Sequence, residues 1–150
     1  MSKAERVTDI FDSVIYSYSR AQAITEGVLV DVTEIAKEAG FTWPVAVTSA
    51  VWEDCVAWTD ADSRRQTHQD QSGRLWDMVW MARAAAAKQP GHSALTAHPE
   101  SPDSPVRTFQ MLRVPRDGKS NQARPVVLKM VVGPDDFGNP YLTIMQPRED

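Results

Sequence analysis

Cysteine is almost missing from this 150-residue chain: Cys55 stands alone, so no intrachain disulfide and no Cys-x-x-Cys zinc or redox pair can form. That points to a reducing, cytoplasmic setting. No window approaches the roughly 18 apolar residues of a membrane span, and the opening MSKAERVTDIFDS alternates charge with isolated apolar side chains where a signal peptide would build an apolar core. The expectation is a soluble protein with no membrane contact. The three histidines, His68, His92 and His98, lie far apart in predicted loops without an HExxH pattern, so no metal site is expected. GxSxG, GxGxxG and a Walker A loop are also missing, and GPDDFG at 133–138 carries carboxylates, which repel phosphates. The tip acids Asp135 and Asp136 read as a solvated turn. No catalytic residue is assigned and no cofactor is expected.

Positive charge is sparse at the start. Residues 1–58 hold four Lys/Arg against nine Asp/Glu, a local balance of −5 within a net charge of −4, which argues against broad phosphate-backbone binding. A chain of this length fits a single domain, 1–150, and buries roughly 68–70% of its unfolded surface without staples.

Apolar periodicity organises the first part of the chain. Val7, Ile10 and Phe11 place a short helix over 3–12, and 14–18 reads as a strand with Tyr16 and Tyr18 on one side. Ser19 caps a helix RAQAITE that Gly27 ends; VLVDV follows as a strand, and Thr33 caps EIAKEA, which Gly40 closes. After FTWP and VAVT, a helix is expected around SAVWEDCVAW, with Cys55 as a small buried hydrophobe. Residues 59–69 read as a loop or a helix extension. RLWDMVWMARAAAAK, 74–88, is the clearest helix and is expected at the centre of the core.

The Pro-rich stretch 89–105 marks a switch to period-2 segments at 106–114, 125–133 and 141–146, separated by loops with Gly, Asp and Asn where hairpins need them. The fold class is therefore α+β: an N-terminal mostly helical part (1–88) with one or two short strands, packed on a C-terminal three-stranded antiparallel meander (106–146). The Trp76/Trp80 helix is expected to cover that meander. An exposed sheet edge would invite a homodimer or a bound partner strand.

All five tryptophans fall between positions 43 and 80, and their helical spacing favours core packing, with Trp43 before Pro44 the one expected at the surface. IYSYSRAQAITEGVL is similar to the opening rhythm of ADP-ribosyltransferase-like folds. That resemblance implies NAD binding, with Tyr16 and Tyr18 framing the nicotinamide end and Arg20 meeting the pyrophosphate. The late strand glutamate of such enzymes has no match beyond Glu149 and Asp150 at the terminus, so enzymatic activity is the alternative reading. Nucleic-acid binding, not favoured by the charge, would rest on Arg64, Arg65, Arg74 and Arg83 with nearby tryptophans stacking on bases.

The segments VIYSYSRAQAITEGVLVDV, FTWPVAVTSAVWEDCV, GRLWDMVWMARAAA and GPDDFGNPYLTIMQPRED resemble an uncharacterised domain family encoded on bacterial plasmids, integrated elements and phages. The resemblance covers most of the chain and brings no catalytic residue with it. It implies a mobile-element accessory protein that binds a host protein, of the kind that inhibits a defence system such as CRISPR or restriction. Tyr16, Tyr18, Arg20, Trp43, Arg64 and Arg65 are the candidate binding residues.

Overall fold

The computed structural model describes residues 21–87, 106–134 and 137–149. The expected helix over 3–12, the strand over 14–18 and the loop 89–105 lie outside the described residues. The elements that follow in chain order are β1 (Leu29–Asp31), α1 (Thr33–Ala39), β2 (Val45–Thr48), α2 (Ser49–Val51), a π-helical turn (Trp52–Val56), α3 (Asp60–Arg65), α4 (Gln71–Ala87), β3 (Val106–Arg113), β4 (Arg124–Pro134) and β5 (Pro140–Met145). None of the described helices is long and apolar enough to cross a membrane.

Short-range chemistry sets the first boundaries. Gly40 closes α1 as expected, taking φ 107° while its amide and that of Phe41 fold back on the carbonyls of Lys37 and Ala36. Thr33 is not the cap. It is the first helical residue, and its amide and hydroxyl both donate to Asp31 Oδ1, at 3.0 and 2.5 Å, while its Oγ1 accepts from Val45 N at 3.2 Å. Thr33 thus ties α1 to β2.

The strands form one five-stranded mixed sheet in the order β1-β2-β5-β4-β3. This corrects the expected three-stranded antiparallel meander with the N-terminal part packed on it: the two N-terminal strands β1 and β2 join the same sheet. β2 lies parallel to β5, pairing Val45 with Leu142 and Val47 with Ile144, and β1 adds to its other side. β3 and β5 each pair antiparallel with β4. The physical reason is that VAVT is buried at all four positions, so it lacks the alternation of a half-exposed strand.

Register places Val45, Val47, Phe109, Met111, Leu128, Met130, Leu142 and Ile144 on one face of the sheet, and all belong to one core cluster. Onto that face α4 presents Met78, Val79, Ala82 and Ala85, and α1 presents Ala36 and Ala39. On the reverse face, Leu112 and Val127 remain exposed. Trp43 is exposed as expected, but the other tryptophans depart from the expected core packing: only Trp58 is buried, Trp52 and Trp76 are half-buried, and Trp80 is exposed. On α4 the residues 76, 80 and 83 follow a helical stripe of their own, beside the one that supplies the core.

The helix expected around SAVWEDCVAW is one α-helical turn that widens into the π turn, closed by Ala57 N donating to Trp52 O at 2.8 Å. Residues 59–69 contain a true helix, α3, started by a capping box in which Thr59 and Asp62 satisfy each other's backbone amides.

Candidate functional site

Two clusters of polar side chains stand out, at opposite ends of α4. The first begins at Arg74, which is buried near the start of the helix. Its Nε donates to Val56 O (3.2 Å), Nη2 to Asp54 O (3.1 Å), and Nη1 to Val114 O (3.0 Å) and Gln69 Oε1 (2.5 Å). The guanidinium also lies 4.6 Å from the centre of the Trp58 ring. The carbonyls of Asp54 and Val56 belong to the π turn, whose end leaves them without intrahelical donors, and one side chain supplies both.

Around Arg74 runs a seam of ion pairs that joins the helices to the β3–β4 connection. Arg113 reaches Asp54 at 3.1 Å, and Arg116 reaches Glu53 and Asp62 at 2.8 Å each. Gln66 donates to Pro115 O and Ser120 O, at 2.7 and 2.6 Å, and accepts from Gly118 N at 3.2 Å, so a single buried amide holds the whole turn. A polar cavity of about 250 Å³ beside Arg74 and Arg113 reaches Cys55. Burial, with Asp54 adding to it, pushes the Cys55 thiol up to about 12, so it is protonated at neutral pH and a poor nucleophile. Every strong donor here already has a protein acceptor, and the seam reads as structural.

The second cluster lies toward the other end of α4. Trp76 and Trp80 stack with ring centres 5.9 Å apart and planes inclined by 26°, and Trp80 is 53% exposed. One turn further on, Arg83 lies against Gly40, where an added Cβ would come within 3.0 Å of its Nε. Arg83 lines a cleft of about 340 Å³ with Trp43, Phe41, Arg107, Met130 and Leu142. Nη1 of Arg107 donates to the carbonyls of Ala85 and Ala86 at 3.3 Å each, which anchors it at the C-terminal end of α4. Among the described residues no carboxylate pairs with Arg83 and none lines the cleft.

Of the residues singled out by sequence, Tyr16, Tyr18 and Arg20 lie outside the described residues. Trp43 stands exposed in the α1–β2 loop and lines the cleft. Arg64 and Arg65 are exposed in the last turn of α3, and neither lines this cleft. Arg74, which the nucleic-acid reading would place against phosphates, is buried with its donors committed to backbone carbonyls. Arg83 was singled out with the nearby tryptophans only in the nucleic-acid reading, and its i, i+3 spacing from Trp80 on the clearest helix puts the two side by side. Among the described residues no group of three or more His, Cys, Asp or Glu could hold a metal ion.

The model of a family of unknown function (DUF6573) covers residues 8–150. No curated protein and no solved structure matches.

Proposed function

Because the chain belongs to this family of unknown function, its activity has to be read from its own side chains, and we propose that it acts by binding another protein. The observation that carries the reading is the exposed Trp80, stacked on Trp76 and followed one turn later by Arg83 at a cleft edged by Trp43. Tryptophan and arginine are the residues most enriched among interface hot spots, because each offers a large area with a polar or charged edge. An isolated exposed apolar residue needs no explanation, whereas two exposed tryptophans beside an arginine that has no carboxylate partner among the described residues make a contact surface.

The finer part of the proposal is the setting. The protein is a mobile-element accessory factor of plasmids or phages in the bacterial cytoplasm, and its partner is a host protein, in the first place a component of a defence system. An acidic N-terminal half with a balance of −5 supports this, since it can compete for a basic nucleic-acid-binding surface.

The test compares the full chain with its Trp80→Ala variant in capture from a bacterial lysate, followed by infection of cells that express each. The expected result is a stoichiometric host protein retained by the wild type and lost with the variant, together with protection of infecting DNA. Capture that is indifferent to Trp80→Ala, or no partner and no protection, would overturn the proposal.

A further inference from the structure

We infer that the cleft between the α1–β2 loop and α4 receives an acidic segment of the partner, one that presents a carboxylate beside an apolar side chain. The inference rests on the protein-binding reading and supplies the partner's chemistry. Its first support is charge. Two guanidinium groups, Arg83 and Arg107, line the cleft and no Asp or Glu does so among the described residues, in a chain where acids outnumber bases. Arg107 is held by the carbonyls of Ala85 and Ala86 in α4. Among the described residues Arg83 has no such acceptor, so it is the group to which an incoming carboxylate binds, and its planar fork suits a two-point contact.

The second support is the floor. Phe41, Met130 and Leu142 are buried, and Val132 is packed against the same core, so the space beside the guanidinium is apolar and fixed. A carboxylate alone would leave that surface wet. A segment with Leu, Ile or Phe next to Asp or Glu fills both halves.

Shape separates a peptide from a free small molecule. At about 340 Å³ the cleft is near the lower end of small-ligand pockets, and its rim residues Gly40, Thr42, Trp43 and Ala86 are all exposed. Small-ligand sites enclose about 70–90% of their ligand. An open cleft does so only for a side chain whose remaining contacts fall on the surface outside, where Trp80 stands. Gly40 belongs to the construction: its αL conformation ends α1, and its missing Cβ leaves the room that the Arg83 side chain occupies.

The experiment uses the full chain and three fluorescein-labelled synthetic peptides at one fixed ionic strength: alternating Asp and Leu, alternating Lys and Leu, and alternating Ser and Leu. Fixed salt matters because the net charge of −4 repels acidic ligands at long range whatever the cleft does. Anisotropy measures binding, and the indole NMR signal of Trp43, assigned with Trp43→Phe, reports the place. The expected result is selective binding of the Asp-Leu peptide with a shift at Trp43. Arg83→Glu should weaken it by about 10- to 100-fold and reverse the preference toward Lys-Leu. Thr42→Glu, a change at the exposed rim, should also block the acidic peptide and stands in if Arg83→Glu does not fold. Equal binding of the three peptides, no binding, shifts that spare Trp43, or a preference for a single-stranded oligonucleotide over the acidic peptide would each overturn the inference. Loss of peptide selectivity with Trp80-dependent capture intact sinks the cleft assignment alone. Acidic-peptide binding at Trp43 without Trp80-dependent capture sinks the helix-face reading and leaves the cleft standing.

Discussion

Replacing Arg74 by Met tests whether the buried guanidinium holds the π turn to the rest of the fold. Methionine keeps most of the volume and the apolar contact with Trp58 but donates no hydrogen bond. It leaves Val56 O, Asp54 O and Val114 O without the donors now 3.0–3.2 Å away. Each hydrogen bond to a charged group contributes about 1.5–3 kcal/mol, against which stands the cost of taking the guanidinium out of water, several kcal/mol. Burial also holds the Arg74 pKa below the usual arginine value, which shows that this cost is present. The variant gains back the desolvation but strands three carbonyls, so a net loss of about 3–5 kcal/mol is expected. Arg74→Lys keeps the charge without the fork that spans four acceptors, and should lose about 1.5–3 kcal/mol. Urea unfolding followed by tryptophan fluorescence reads both. With a slope near 2 kcal/mol/M, Arg74→Met moves the midpoint down by about 1.5–2.5 M at unchanged slope. A midpoint within about 0.5 M of the wild type would mean that water satisfies the carbonyls and that the clamp reasoning is wrong.

Acid should weaken the β3–β4 turn. The Ser120 hydroxyl first, then the amides of Ser120 and Lys119, hold Asp117 down from 3.8 to about 2, so stability from this carboxylate is complete above about pH 4 and lost as pH falls toward 2. Asp117→Asn should flatten that limb of a midpoint-against-pH curve, and an identical limb would count against it. Cys55, with its thiol pushed up to about 12 by burial, should resist iodoacetamide in the native protein at pH 8 and react only as fast as the fold opens. Rapid labelling without unfolding would contradict the packing. Gly40→Ala should lower stability by about 1–2 kcal/mol, because alanine is strained at φ 107° and its Cβ meets Arg83, and an unchanged Tm would refute the αL stop.

What sequence reveals here depends on whether a residue's environment repeats along the chain. The strands at β3, β4 and β5 and the helix α4 were legible because apolar residues recur at their periods. Gly40 was legible because an αL stop demands glycine. VAVT was not, since a strand covered on both faces has no period to read. The π turn was equally hidden, because what stabilises it is Arg74, which follows Val56 by 18 positions. Helical spacing alone could not separate a buried tryptophan from an exposed one: Trp76 and Trp80 sit one residue out of phase with the stripe that meets the sheet. The cleft combines loop, helix and strand residues from positions 40 to 142, so no local pattern announces it.

Arg74 and Arg83 make that limit concrete, because they stand on the same helix with the same chemistry and have opposite surroundings. One donates to three backbone carbonyls and a glutamine and is buried; the other is half-buried at an open cleft with no carboxylate partner among the described residues. A guanidinium whose donors are spent inside the fold contributes to stability and has little left for a ligand, while one that faces solvent contributes little to stability and retains its full capacity to bind. The pair therefore predicts a crossed result. Arg74→Lys should move the urea midpoint and leave partner affinity per folded molecule unchanged, and Arg83→Lys should leave the unfolding free energy within about 0.5 kcal/mol of the wild type and weaken partner binding. Measured side by side, a stability loss at Arg83 as large as that at Arg74 would show that the cleft arginine is also a structural tie, and the division of α4 into a holding end and a binding end would fail.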